Sequence, residues 1–307
     1  MPAACLLATA LSACALAPPR EPAVSGLPPD DRSAPLSAVW IGHATVLLRF
    51  GNSTLLTDPN LNSRILIVPR ITRASVRPWE LPPIDAVVLS HPHFDHFDAW
   101  TLRRLGPRPA VFFPAGAEAY SDEILQEDKA GVRRWDTVER AGLRITAVPA
   151  RHQGGRFLID FFWNHAFAGW VIEGAGRTVY FAGDTGYDPE IFKQVGKRFP
   201  NIDVAFIPIA PARQGPPDPA DRWGHVGPEL ALDVFRDVGA KWFAPVHFEA
   251  FFSSDTRFGE PRRRLMAEVD KRGLRDRVLA WHTGERLSFD GAGERVLESR
   301  PGTLAAP

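Results

Sequence analysis

The octapeptide Leu-Ser-His-Pro-His-Phe-Asp-His, residues 89–96, constrains this chain more than any other stretch. Three imidazoles and a carboxylate fall within six positions, directly behind the strand-like run from Ile84 to Ser90. The carboxyl end of a strand is where α/β sheets place ligands. Imidazole nitrogen and carboxylate oxygen both suit zinc. Donors this close in sequence meet at one point only in a tight loop, which Pro92 favours. A polar surface loop would account for a lone histidine; three histidines and an aspartate point to a bound cation.

One loop cannot complete the coordination of two ions, so isolated donors at other strand ends matter. His152 follows the run RITAVPAR, Asp184 follows TVYFAG, and His247 ends WFAPV. Each alone reads as a capping or hydrogen-bonded core residue. Together they repeat one context, an apolar strand and then a single donor. Thiolate ligands are not available to the body of the chain, because Cys5 and Cys14 are its two cysteines.

Between these donors, hairpin signals mix with strand–helix alternation. GNS at residues 51–53 and GAG at 174–176 read as hairpin turns. DAWTLRRLG, DPEIFKQVGKRF, GPELALDVFRDVGA and PRRRLMAEVDKRGL have helical spacing, and AEAYSDEILQEDKAG favours helix. RVLAWHTGERLSF reads as closing strand material. The pattern predicts one α/β domain over residues 37–290, with two sheets and outer helices. The whole chain's hydrophobic fraction of 45% supports a core of ordinary depth. The 36 basic and 36 acidic side chains cancel, and no long basic block occurs, which argues against nucleic acid as a partner.

Residues 1–14 are apolar, rich in small side chains and too short to span a bilayer. They read as a secretory signal in which Leu11-Ser12-Ala13-Cys14 resembles a bacterial lipobox, although no Lys or Arg precedes the apolar run. That reading predicts a lipid-anchored protein of the bacterial cell envelope; a disordered tail on a cytoplasmic protein is the alternative. Residues 15–36 read as a flexible tether and 291–307 as a frayed tail.

The set H-x-H-x-D-H followed by a distant His, Asp and His resembles the metallo-β-lactamase superfamily. The resemblance implies a four-layer αββα sandwich with two Zn2+ per chain. By position, His91, His93 and His152 would hold one ion. Asp95, His96 and His247 would hold the other, and Asp184 would bridge them. Flavodiiron members carry glutamate for the second histidine, so His93 argues against a redox di-iron role. The segments WIGHATVLLRFGNSTLLTDP, FAGDTGYDPEIFKQVGKRFPNIDVAFIPIA and HVGPELALDVFRDVGAKWFAPVHF are similar to the N-acyl-phosphatidylethanolamine-hydrolysing phospholipase D branch. The similarity runs from Trp40 to Glu285, departing at Phe167-Ala168, where a Trp-Gly pair is usual.

That branch implies phosphodiester cleavage by a water made acidic between two ions. Asp95 would orient this water. His225 would give a proton to the leaving oxygen or contact the phosphate; an ordinary helix-flanking histidine is the equal alternative. Asp58 would support a ligand histidine from behind. His43 and His282 match positions near the site, with a satisfied core histidine the better reading for each, and His165 carries no assignment. Phe157, Phe161, Phe162 and Trp163, with Phe248, Phe251 and Phe252 beside His247, would line a groove for acyl chains or pack the core. The resemblance further implies a phospholipid substrate at a membrane surface and is compatible with a homodimer. Two other readings stand beside it, a lactonase or small-ester hydrolase of the same fold, and a lipid-binding envelope protein without turnover.

Overall fold

The computed structural model describes residues 18–30, 32–156, 160, 165–211, 224–292 and 295–296. The chain enters its first sheet as an antiparallel meander of β1 (Leu36–Gly42), β2 (Thr45–Phe50) and β3 (Ser53–Thr57). The short strands β4 (Arg64–Ile65) and β5 (Val68–Pro69) form a separate hairpin. β6 (Ala86–Val88), helix α1 (Ala99–Arg104), β7 (Ala110–Pro114) and β8 (Lys129–Val132) come next, and these strands extend the first sheet in parallel.

The second sheet starts with the antiparallel run β9 (Thr137–Arg140), β10 (Leu143–Val148), β11 (Gly169–Gly174) and β12 (Arg177–Phe181). Helix α2 (Pro189–Arg198), β13 (Val204–Pro208), helix α3 (Pro228–Val238) and β14 (Trp242–Val246) continue it by parallel crossovers. Helix α4 (Glu260–Arg272) then leads back to the first sheet, where β15 (Arg286–Phe289) pairs with β1 and β16 (Arg295–Val296) with β15. The strand orders are β16-β15-β1-β2-β3-β6-β7-β8 and β14-β13-β12-β11-β10-β9.

The strand sequences explain the layering. Successive side chains of a strand face opposite sides, and β1 is apolar on both. Leu36, Ala38 and Trp40 join the larger core, which also holds Ile145, Trp170, Ile172 and Phe206 of the second sheet. Val39 and Ile41 turn to a smaller core with Leu102 of α1 and Tyr120. The larger core continues to Leu232 and Phe235 of α3. Strands buried on both faces need cover on both, which gives the order helix, sheet, sheet, helix. This is the αββα sandwich expected from the sequence. Helices start where the side chains dictate: Asp98 accepts from the Trp100 and Thr101 amides at the head of α1.

Three expectations are corrected. The run AEAYSDEILQEDKAG forms a 3-10 helix over Glu118–Glu123 and then the strand β8, not a helix. Gln126 explains the break: its amide donates to the Leu102 and Gly106 carbonyls, tying the chain to the end of α1. Residues 278–285 precede β15 as a strand-poor segment: Val278 makes one bridge to Phe243 of β14, and the rest is held by Trp281 Nε1 to the Pro245 carbonyl and Gly284 N to the Trp40 carbonyl. Residues 18–30, read as tether, are fixed to the domain by Arg20 N to the Ile71 carbonyl and by Asp30 to Arg49 and Arg286. Cys5, Cys14, Phe157, Phe161, Phe162 and Trp163 lie outside the described residues. No helix among the described residues is long and apolar enough to cross a membrane.

Candidate metal centre

Every donor of the centre stands just past the carboxyl end of a strand. His43 follows β1, Asp58 follows β3, and His91–His96 follow β6 in the first sheet. His152 follows β10, Asp184 follows β12 and His247 follows β14 in the second. These strands run in one direction within each sheet, so their ends open on one edge of the sandwich.

The turns there are tight. His43, Asp58 and His247 adopt φ of 55°, 33° and 61°, a region that costs a residue with a side chain about 1–3 kcal/mol. Backbone bonds hold two of these turns: His247 N donates to the His43 carbonyl and Asp58 N to the Val88 carbonyl, both at 2.9 Å. Two glycines are needed for space as well as for φ. A Cβ on Gly183 would collide with Ser90, and one on Gly224 would come within 2.7 Å of His152 Cα.

Seven of the nine histidines lie in this cluster. His91, His93 and His152 form one compact donor group. His91 Nε2 is 2.9 Å from His93 Nδ1, and His152 Nε2 is 3.3 Å from it. His43, Asp95, His96 and His247 form the second. There His96 Nε2 is 3.1 Å from His247 Nε2, and Asp95 Oδ2 is 3.4 Å from His96 Nε2 and 3.6 Å from His247 Nε2. Asp184 lies between the groups. Its Oδ1 is 3.1 Å from His247 Nε2, while Oδ2 is 3.3 Å from His96 Nε2 and 4.0 Å from His152 Nε2. His225 Nδ1 is 3.5 Å from the same Oδ2.

The outer nitrogens of the rings are engaged by the protein. His96 Nδ1 donates to Asp58 Oδ2 at 2.6 Å. Ser90 Oγ donates to the same oxygen at 2.5 Å and in turn accepts from His91 Nδ1 at 2.9 Å. One fully buried carboxylate therefore orients two rings, one directly and one through a hydroxyl. His152 Nδ1 donates to the Gly224 carbonyl at 2.9 Å and His247 Nδ1 to the Ala210 carbonyl at 3.3 Å. A proton fixed on Nδ1 leaves Nε2 as the lone-pair nitrogen, the tautomer a metal ligand requires.

The charges follow from this packing. Burial and neighbouring rings hold His91 and His152 well below the usual histidine range. Burial also opposes charge on His96, but Asp184, Asp95 and Asp58 outweigh it and hold the ring well above that range. His247 is raised to about 9 against the same burial, chiefly by Asp184. Burial would raise Asp95 and Asp184, yet the surrounding histidines hold both carboxylates well below their ordinary values. Inward nitrogens about 3 Å apart repel unless a positive charge sits among them. Three imidazoles on one side, two imidazoles and a carboxylate on the other, and a carboxylate between them fit two divalent cations with nitrogen and oxygen ligands.

The predicted residues His91, His93, Asp95, His96, His152, Asp184 and His247 are thus all brought together, with His225 beside them. Asp58 stands behind His96, where it was expected to support a ligand. His43 belongs to the cluster more closely than its alternative core reading allowed. Its Nε2 donates to Asp95 Oδ2 at 3.1 Å, and Trp40 Nε1 anchors its carbonyl at 2.8 Å. Its signal was present, since WIGHA is again an apolar strand followed by one donor. His282 is in none of the donor groups; its side chain is 42% exposed and pairs with Glu285 at 3.4 Å, so the core reading does not hold and it is not among the grouped metal donors. His165 is exposed. Phe248 is a core residue, packed with its ring tilted against Trp40 at 4.7 Å, which removes it from any acyl groove. Phe251 is half-buried with its ring edge on His43 at 5.1 Å.

A β-lactamase superfamily domain matches residues 53–248. An uncharacterised protein of Mycobacterium tuberculosis is 33% identical over 76% of this chain, and the match covers 64% of its own length, just under two thirds. The N-acyl-phosphatidylethanolamine-hydrolysing phospholipase D 1 of Caenorhabditis elegans is 31% identical over 77% of this chain and 70% of its own. Among solved structures, a metallo hydrolase from Ignicoccus hospitalis superposes with a TM-score of 0.60 at 21% identity, covering 83% of this chain and 98% of that one; it shares the fold. Strand-end donors, sandwich topology and the match over residues 53–248 agree, and the chain belongs to the metallo-β-lactamase superfamily.

Proposed function

We propose that this chain is a metal-dependent hydrolase that holds two zinc ions and cleaves N-acyl-phosphatidylethanolamine-type phospholipids as a phospholipase D. The observation that carries the reading is Asp184, which reaches both donor groups: Oδ1 lies 3.1 Å from His247 Nε2 and Oδ2 3.3 Å from His96 Nε2 in one, and Oδ2 lies 4.0 Å from His152 Nε2 in the other. His91, His93 and His152 would hold one ion, and Asp95, His96 and His247 the other. Bound there, the pair would supply an acidified water and offset negative charge developing on phosphorus.

The chain's own residues do the rest. Asp95, 26% exposed, and His225, 20% exposed, are with His93 the partly exposed donors, where a headgroup would enter. Asp95 holds the attacking water through a carboxylate kept ionised by the neighbouring rings. The water oxygen gives up a proton to bulk solvent and bonds to phosphorus as the bond from phosphorus to the ethanolamine oxygen breaks. His225 gives the leaving oxygen its proton, so that a phosphatidic acid and an N-acylethanolamine are released. The similarity to the C. elegans enzyme supports this choice of substrate.

Incubating zinc-loaded protein with an N-acyl phospholipid and, separately, with a sugar-phosphate lactone tests the reading. Faster phospholipid turnover is expected; turnover of the lactone alone would move the chain to the esterase reading. Elemental analysis should give about two ions per chain, whereas a lipid-binding protein without turnover would carry well under one.

A further inference from the structure

The hairpin of β4 and β5 is built in a way that folding alone does not require. Ile65 pairs with Val68, so Leu66 and Ile67 form its two-residue turn. Such turns favour Asn, Asp or Gly, which tolerate positive φ and water. Here Leu66 sits at φ 51° with 65% of its surface exposed, and Ile67 is 83% exposed. A branched aliphatic in a left-handed turn is strained, and neither side chain gains burial in return.

The hairpin is also joined to the metal centre. Arg70 bridges to Phe251, Phe252 N donates to the Pro69 carbonyl, and Ile71 N donates to the Ala250 carbonyl. The Arg70 guanidinium lies 4.3 Å over the Phe251 ring, whose edge meets His43. From Arg70 to Ile67 is three residues, or about 10 Å of strand. The apolar tip therefore projects from the rim of the cluster.

Charge and aromatic character surround its base. A cleft of about 570 Å³ is lined there by Ser63 and Arg70 together with Arg73, Arg77 and the 68% exposed Trp79. Three exposed arginines, Arg64, Arg73 and Arg77, stand with two glutamates, Glu21 and Glu80, Arg73 pairing with Glu21 at 3.0 Å, which leaves a net positive charge here in a chain whose total charge is zero. A second copy of this chain would set arginine against arginine and cover one turn, far less than the roughly 800 Å² per partner of a stable interface.

We propose that the Leu66–Ile67 turn, with Trp79 and Arg64, Arg73 and Arg77, is a membrane-docking surface that inserts its aliphatic tip into a bilayer of anionic phospholipid. Aliphatic and tryptophan side chains suit the interface, and basic residues are drawn to anionic headgroups. The surface deepens the phospholipid reading, since it would hold the centre at the bilayer, but it stands on geometry independent of catalysis.

The full chain carrying Cys14→Ser, so that no lipid on that residue contributes, is sedimented with vesicles of phosphatidylcholine containing about 30% phosphatidylglycerol and with phosphatidylcholine alone. Binding to the anionic vesicles is expected, weakened about tenfold or more by Leu66→Ser with Ile67→Ser and reduced on neutral vesicles. Thermal unfolding of the double variant checks that its fold is kept; Arg64→Glu, at an exposed position, provides a second variant expected to weaken binding. Unchanged binding of both variants, or no binding by the parent, overturns the proposal. So does a parent dimer in sedimentation velocity that the double variant converts to monomer, which would make the tip a contact between copies. Phospholipid turnover is read in the same samples: none, with tip-dependent binding intact, would fell the catalytic reading and leave the surface standing.

Discussion

Asp58 Oδ2 lies 2.6 Å from His96 Nδ1, and both side chains are wholly buried. The same carboxylate takes the Ser90 amide on Oδ1 and the Ser90 hydroxyl on Oδ2, so it sets the orientation of His96 and, through Ser90, of His91. Asp58 touches no substrate; it acts through the rings it aims.

Asp58→Asn should therefore lower metal affinity by about 10–100-fold. Asparagine tolerates the φ of 33° at this position, so the backbone turn is kept while the charge is lost. Competition with a chelator of known affinity measures the change, and wild-type affinity would refute the role.

His43→Gln should leave two ions bound but slow turnover about 10–100-fold. The imidazole bond to Asp95 Oδ2 is lost, and Asp95 is the carboxylate proposed to hold the water. Metal content and kcat, measured on one preparation, separate this outcome from simple loss of an ion.

Asp95→Asn should cut turnover by roughly 10²–10⁴-fold with the fold intact, and His225→Ala by about 10²-fold with metal retained. The second expectation distinguishes a proton donor from a ligand. If His225→Ala empties the site on elemental analysis, His225 holds metal instead.

The metal-free protein should be most stable near pH ~6.5. Burial opposes charge on His247, but Asp184 and Asp95 lift it to about 9; its contribution is complete below pH ~6.5 and lost as pH rises through about 9. His43 moves the other way, to about 3, because burial dominates. Between pH ~6.5 and about 3 the unfolded chain takes up that proton and the native one does not, so acid destabilises. Zinc held by His247, as proposed, would displace that proton and should flatten the alkaline limb. Urea midpoints from pH 4 to pH 10, with chelator and with zinc, test this; a metal-free midpoint that holds steady from pH 6.5 to 9 contradicts it.

Much of the site was legible along the chain because a strand end is a local feature. An apolar run followed by one donor is visible in HPHFDH, in His152, in Asp184 and in His247, and the same rule applied to WIGHA would have ranked His43 with them. The two hairpin turns and most helices were equally local, marked by Gly-rich turns and helical spacing. AEAYSDEILQEDKAG misled because its composition favours helix, whereas one of its own side chains, Gln126, is committed to the end of α1 earlier in the chain.

What the amino-acid order determined by itself was therefore the inventory: which donors exist, that each follows a strand, and that strands apolar on both faces must be covered on both. Which donors meet was decided in three dimensions. Residues as distant in the chain as His96 and His247 come to 3.1 Å because two sheets stack with their strand ends on one edge. The tautomers were settled there too, by Asp58, the Gly224 carbonyl and the Ala210 carbonyl, partners that spacing does not reveal. The exposed tip at Leu66 and Ile67 belongs to the same class, since hydrophobicity in a sequence suggests burial and only the folded chain shows two aliphatic side chains left in water beside the centre.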